Sequence, residues 1–201
     1  MTEQDVEAFG RCIAAGGVAV FPADTVYGLA ADPESEAGVR RLYALKGRSE
    51  DRPGAVMFFD SEQALAALAE IGPRTRAAIE RLLPGPLTLL LPNPSRGYPL
   101  ACGSAPERLG LRVPALTGPL APLAAATPVL QSSANRSGGL EARRLEDVDA
   151  HIRRGADVEL DGGELPGVAS TVVDLTRYET VGVHRVVREG AVGAALVAES
   201  L

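Results

Sequence analysis

The chain has 201 residues, 46% of them hydrophobic and 23% charged, a balance that excludes intrinsic disorder and supplies a sizeable core. Its formal net charge of −6 argues against a general polyanion-binding surface, because nucleic-acid affinity rests first on neutralising phosphates. Cys12 and Cys102 stand far apart with no histidine near either, which argues against a disulfide framework or a zinc site and makes a reducing cytoplasm the expected home.

The acidic N-terminus lacks the basic-then-apolar order of a signal peptide. Thr2 and Asp5 predict a capping pair for a first helix that carries Val6, Phe9 and Ile13 on one face and ends at Gly16-Gly17. "VAVF" (18–21) reads as a short buried strand running into a tight strand-to-helix connection, "FPADTVYGLAADP" (21–33). A second helix starts near Ser35, turns Val39, Leu42 and Tyr43 inward, and stops at "LKGR" (45–48), where Gly47 suits a left-handed closing residue.

"AVMFF" (55–59) is the next strand, Ser61 is the expected cap of the helix "SEQALAALAEI", and Pro73 opens the helix "PRTRAAIERLL". "PLTLLL" (86–91) and "LGLRV" (109–113) read as strands flanking a Pro/Gly/Ser-rich loop. Val113 to Asn135 carries no charge, yet four prolines interrupt it, so it reads as loop, short helix and the buried strand "PVLQSS" (128–133) rather than a membrane span. A helix over Leu145 to Arg154 and late strands at "DVEL", "STVVDL" and "HRVV" complete the pattern. The expected fold is α/β: a single domain over 1–201, built on one twisted mixed sheet with helical cover.

Three stretches carry candidate chemistry, each with a plainer reading beside it. Lys46 and Arg48 flank a helix end, where cations are favoured by the helix dipole; they also suit a phosphate clamp, a point charge beside a planar fork. "SSANRSGG" (132–139) after a strand is either an ordinary polar turn or a cradle of backbone N–H groups for an anion. In "PADTVYG" the hydroxyls of Thr25 and Tyr27 either satisfy a turn or reach a ligand from a pocket wall. His151 and His184 belong to no visible constellation, and the acidic run "ELDGGEL" (159–165) reads as a solvated loop.

Taken in order, "FPADTVYGLAADP", "LYALKGR", "LPGPLTLLLP", "LGLRVP", "SSANRSGG", "STVVDL" and "VVREGA" resemble the YrdC/Sua5 family of threonylcarbamoyl-AMP synthases, from about Gly16 to Ala191. The resemblance implies a YrdC-like fold around a deep electropositive cavity and a short, single-domain form. It implies synthesis of threonylcarbamoyl-AMP from L-threonine, bicarbonate and ATP with release of pyrophosphate, Mg²⁺ bridging ATP oxygens, and a downstream enzyme that transfers the group to tRNA. It assigns Lys46, Arg48, Ser133, Asn135 and Arg188 to ATP, with Lys46 and Arg48 central to catalysis, and Thr25, Arg112 and Ser170 to threonine. No residue is assigned to metal, and a weak contact with tRNA is allowed.

Two departures, Ala23 for the family's usual threonine and Gly54 for its usual leucine, are expected to flank the threonine pocket. They keep open a paralogue acting on another amino acid, or a nucleotide-dependent regulator without catalysis. An RNA-binding module using the same basic cavity is the rival from a different class. Negative charge and the absence of a basic-aromatic surface pattern weigh against it.

Overall fold

The computed structural model describes all 201 residues. In chain order the elements are α1 (Glu3–Ala14), β1 (Val18–Pro22), β2 (Tyr27–Ala31), α2 (Glu36–Lys46), β3 (Ala55–Met57), α3 (Ser61–Ala67), α4 (Pro73–Leu82) and β4 (Leu87–Pro92). Next come α5 (Pro99–Cys102), β5 (Arg108–Arg112), a 3-10 helix (Gly118–Ala125) and β6 (Val129–Ser133). The remainder comprises α6 (Ala150–Gly155), β7 (Val158–Glu159), β8 (Thr171–Asp174), α7 (Tyr178–Val181), β9 (Arg185–Arg188) and α8 (Ala194–Ser200).

All nine strands join one sheet in the order β7-β1-β2-β6-β3-β5-β4-β8-β9. It is mixed: β1/β7, β3/β5 and β4/β8 pair parallel, and the other neighbours antiparallel.

Strand alternation separates two faces. Val18, Val20, Leu29, Leu89, Leu91, Leu109, Leu111 and Val173 point to one side and join a 35-residue core under α2, α4, α6 and α8. Ala19, Phe21, Ala30, Met57 and Val129 point to the other side and meet α1 and the 3-10 helix in a smaller cluster of 14. Phe9 of α1 locks onto this second face, its ring centroid 5.5 Å from Phe21 and 6.2 Å from Phe59. α1 and the 3-10 helix cover only part of that face, and the uncovered part holds the site described below.

Several expectations are met in detail. Thr2 and Asp5 form a reciprocal capping box at α1, Ser35 caps α2, and Gly47 closes it with φ +58°. Others are corrected. The opening segment is a hairpin, not a strand-to-helix connection: "YGLAA" is a strand paired with β1 on one side and β6 on the other. Without a β-branched residue it has little strand propensity of its own, and its two neighbours hold it.

Asp60, not Ser61, caps α3, accepting the Gln63 N–H at 2.9 Å, and the helix ends at Ala67. The single helix expected over 145–154 is a 3-10 turn, Leu145–Asp147, followed by α6, because the Asp149 carboxylate starts a new helix by accepting the His151 N–H at 2.7 Å. The short helices α5 and α7 and the terminal α8 had no periodic signal long enough to predict them.

Candidate functional site

On the uncovered sheet face lies a cavity of about 250 Å³. Its wall is built from residues of alternate parity to the core: Thr88 and Leu90 on β4, Gly110 and Arg112 on β5, Gln131 on β6 and Val172 on β8. A second hollow of about 280 Å³ adjoins it, and Arg48, Ser133 and Glu141 belong to both. Together they reach the size of small-ligand sites, roughly 300–1,000 Å³.

Arg112, at the end of β5, projects into this space but is almost fully buried. Its Nη2 donates to Asp24 Oδ1 at 2.6 Å and to Thr25 Oγ1 at 3.2 Å. Asp24 Oδ2 accepts the Ala115 N–H at 3.1 Å. Burial drives Arg112 down and Asp24 up in pKa, each toward its neutral form, and the ion pair only partly offsets this. The Arg112 Nε is buried with no hydrogen-bond partner, so the guanidinium keeps donor capacity for an anion.

The end of α2 sets the next two cations. The left-handed turn at Gly47 lets the Arg48 N–H return to the Tyr43 carbonyl at 3.0 Å and swings the Arg48 side chain towards the sheet. There its Nη1 donates to Ser132 Oγ at 3.3 Å and its Nη2 to the Pro53 carbonyl at 2.6 Å, with the guanidinium 5.8 Å from the Tyr43 ring centroid. Its Nε, like that of Arg112, is buried without a partner.

Lys46 lies on the outer hollow and donates from Nζ to the Ser133 carbonyl, to the Asn135 carbonyl at 2.9 Å and to Asn135 Oδ1 at 3.2 Å. Burial, and then the neighbouring Arg48, lower its pKa to about 8.

The loop after β6 is shaped by its own polar side chains. Ser133 Oγ donates to Asn135 Oδ1 at 2.7 Å, and Asn135 Nδ2 donates to the Gly139 carbonyl at 2.6 Å. Gly138 takes φ +82°, and the N–H groups of Asn135, Arg136 and Gly138 make no backbone hydrogen bond. Such free N–H groups beside lysine and arginine are what an anion cradle requires. On the far wall Ser170 Oγ is 2.8 Å from Thr88 Oγ1, and Arg188 Nη2 donates to the Ser170 carbonyl at 2.7 Å.

Of the eight residues singled out from sequence, Arg48, Arg112, Ser133, Ser170 and Arg188 line the cavity, and Lys46 and Asn135 line the adjoining hollow with Arg48 and Ser133. Thr25 stands behind Arg112 and is not part of either wall. Tyr27, left open between a structural role and a ligand contact, takes the structural one: it is buried in the main core, with its hydroxyl between Asp161 Oδ1 at 3.0 Å and the Gly163 carbonyl at 2.9 Å.

Of the two departures, Gly54 lines the cavity and Ala23 lines neither hollow. Ala23 packs in the second cluster, and a Cβ on Gly54 would face Tyr43 Oη and Leu130 at 3.2 and 3.5 Å. Arg108, Thr88 and Glu141 were not picked out from sequence. The first two share strand parity with Arg112 and Leu90, a signal that was there to be used. His151 and His184 line neither space.

Nowhere do three or more His, Cys, Asp or Glu side chains converge. A divalent cation here would therefore take most of its oxygens from a bound phosphate, which suits magnesium better than a metal needing a protein cage. No helix is long and apolar enough to cross a membrane.

Comparison with known proteins points the same way. Threonylcarbamoyl-AMP synthase of Pyrococcus abyssi is 33% identical over 168 residues, covering 83% of this chain and 49% of that protein, so the chain spans about half its length. The Chromohalobacter salexigens protein of the same name is 35% identical over 171 residues, covering 83% of this chain and 90% of that protein. Among solved structures, P. abyssi Sua5 complexed with L-threonine superposes with TM-score 0.83 at 28% identity, over 100% of this chain and 58% of that one. Escherichia coli YciO, at 22% identity and TM-score 0.80 over 96% of this chain and 92% of that one, shares the fold. The profile of the Sua5/YciO/YrdC family, described as telomere recombination, matches residues 11–190. That interval takes in every strand of the sheet and all the cavity-lining residues, and the chain belongs to this family.

Proposed function

We propose that this protein synthesises threonylcarbamoyl-AMP from L-threonine, bicarbonate and ATP, for threonylcarbamoyladenosine modification of tRNA. The observation that carries the reading is the convergence of Arg48, Arg112, Ser133, Ser170 and Arg188, far apart in sequence, on one cavity. Two of these arginines hold a buried Nε without a partner. Relatives named for this activity, and the L-threonine held by the P. abyssi structure, supply the substrate class.

In this mechanism Arg112, already oriented by Asp24, receives the threonine carboxylate, and Ser170 bounds the amino-acid end. Threonine and bicarbonate condense to the N-carboxylate with loss of water. A carbamate oxygen then attacks the α-phosphorus of ATP, the bond to the β-phosphate oxygen breaks, and pyrophosphate leaves. No protein nucleophile is needed. Lys46, Arg48, Arg188 and the loop N–H groups hold the polyphosphate and stabilise charge as it moves to the leaving group, so positioning and electrostatics carry the rate. Magnesium, when bound, adds charge neutralisation on the phosphates.

The test is pyrophosphate release from ATP in the presence of bicarbonate, comparing L-threonine with L-serine and other amino acids. Release that depends on threonine is expected. ATP binding without amino-acid-dependent release would overturn the reading and favour a regulator, whereas steeply salt-dependent retention of tRNA on a filter, without release, would favour the RNA-binding module.

A further inference from the structure

Glu141 is the one acidic residue in the wall of either hollow, and it sits in both. Around it stand Lys46, Arg48, Ser133 and the Ser137–Gly139 turn, the groups suited to phosphate. Its Oε2 is buried and has no hydrogen-bond partner, and a bound cation is one group that would satisfy it.

Glu141 is near enough for its charge to act on Lys46, yet the Lys46 Nζ bonds are all directed at the loop oxygens of Ser133 and Asn135. The Ser133 and Asn135 side chains are engaged with each other. The protein thus supplies no donor to this oxygen. A bare carboxylate beside a polyphosphate would repel it, and the repulsion is relieved only when a cation lies between them.

Magnesium is commonly held by one or two carboxylates together with substrate phosphate oxygens. We propose that Glu141 is the protein's own ligand for the divalent cation that enters with ATP, joining the cation to the wall where the two hollows meet. The proposal rests on the reading of this site as an ATP site. It also explains why a cavity selected for anions retains a carboxylate: the group recognises the metal complex and disfavours the free nucleotide.

The test is calorimetric titration of ATP into wild type, Glu141→Gln and Glu141→Asp, once with EDTA and once with excess Mg²⁺. Wild type is expected to bind more tightly with Mg²⁺. Glu141→Gln is expected to bind metal-free ATP at least as well as wild type, and to lose about tenfold or more of the Mg²⁺-dependent gain. Glu141→Asp, which keeps the charge, should recover part of that gain. Thermal melting of each variant confirms that it is folded.

An unchanged Mg²⁺ gain in Glu141→Gln overturns the proposal. So does weaker binding by that variant in EDTA with a lost preference for ATP over 2′-deoxy-ATP, which would make the carboxylate a partner of ribose hydroxyls. Absence of ATP binding by wild type under both conditions overturns the underlying nucleotide reading, an outcome visible without any variant.

Discussion

Lys46 shows how a single buried charge couples the site to pH. Its pKa is lowered to about 8 from the ordinary 10.5, first by burial and then by Arg48. Below pH 8 the native and unfolded chains both carry the proton, and the full cost of burying the charge applies. Between about 8 and 10.5 the native state releases the proton while the unfolded state keeps it, so stability rises with pH across that window. The gain is of order 3 kcal/mol from a shift of this size. Urea unfolding of wild type and Lys46→Met over pH 7–10.5 isolates it: the stability of wild type relative to the variant should climb, and a flat difference would show that the three loop acceptors hold the ammonium charged throughout.

At the scale of elements, one hydroxyl ties β8 to the segment that follows β9. Thr171 Oγ1, at the start of β8, donates to the Val192 carbonyl at 2.6 Å and accepts the N–H groups of Gly190 and Val192 at 2.9 and 3.0 Å. Thr171→Val keeps the shape and removes all three bonds, leaving half-buried backbone groups without these partners. A loss of about 2–4 kcal/mol in chemical denaturation is expected. Gly190 is needed for the same closure, since a Cβ there would lie 2.1 Å from the Ala169 carbonyl oxygen, next to Ser170.

Elements differ in how far the chain reveals them. α1 and α2 carried caps, periodic apolar faces and a left-handed stop, all local signals, and they form where those signals lie. β2 carried none: "YGLAA" is a strand because β1 and β6 flank it, and the β6 pairing joins residues about a hundred apart. The helix expected at 145–154 failed for the opposite reason, as an internal aspartate competed for the backbone and restarted it.

The candidate site was legible only as short phrases whose order matched a family. Arg48, Arg112 and Ser170 were reachable in that way. Glu141 was not, because nothing about a lone glutamate in a glycine-rich loop tells that one oxygen will be buried and unpaired.

At the scale of the whole molecule, one ion pair crosses the middle of the sheet. Asp24 lies in the β1–β2 turn and Arg112 on β5, and β6 and β3 stand between them in the strand order. Both side chains are nearly fully buried, 6% and 3% exposed. Asp24→Asn would strand the arginine charge without its partner, and removing one member of such a pair costs about 3–5 kcal/mol. Asp24→Asn/Arg112→Met removes both charges and is expected to regain much of that loss in urea unfolding. A double variant no more stable than Asp24→Asn would show that the stranded arginine charge is not what costs the stability.

The two-sided sheet has a practical consequence. Leu89, Leu111 and Val173 answer to the helices behind the sheet, whereas Leu90 and Val172 face the front, where Thr88 is already tied to Ser170. Leu90 and Val172 can therefore be varied to reshape the cavity while the scaffold stays intact, and a slip of one residue in any strand would exchange the two sets and abolish both at once.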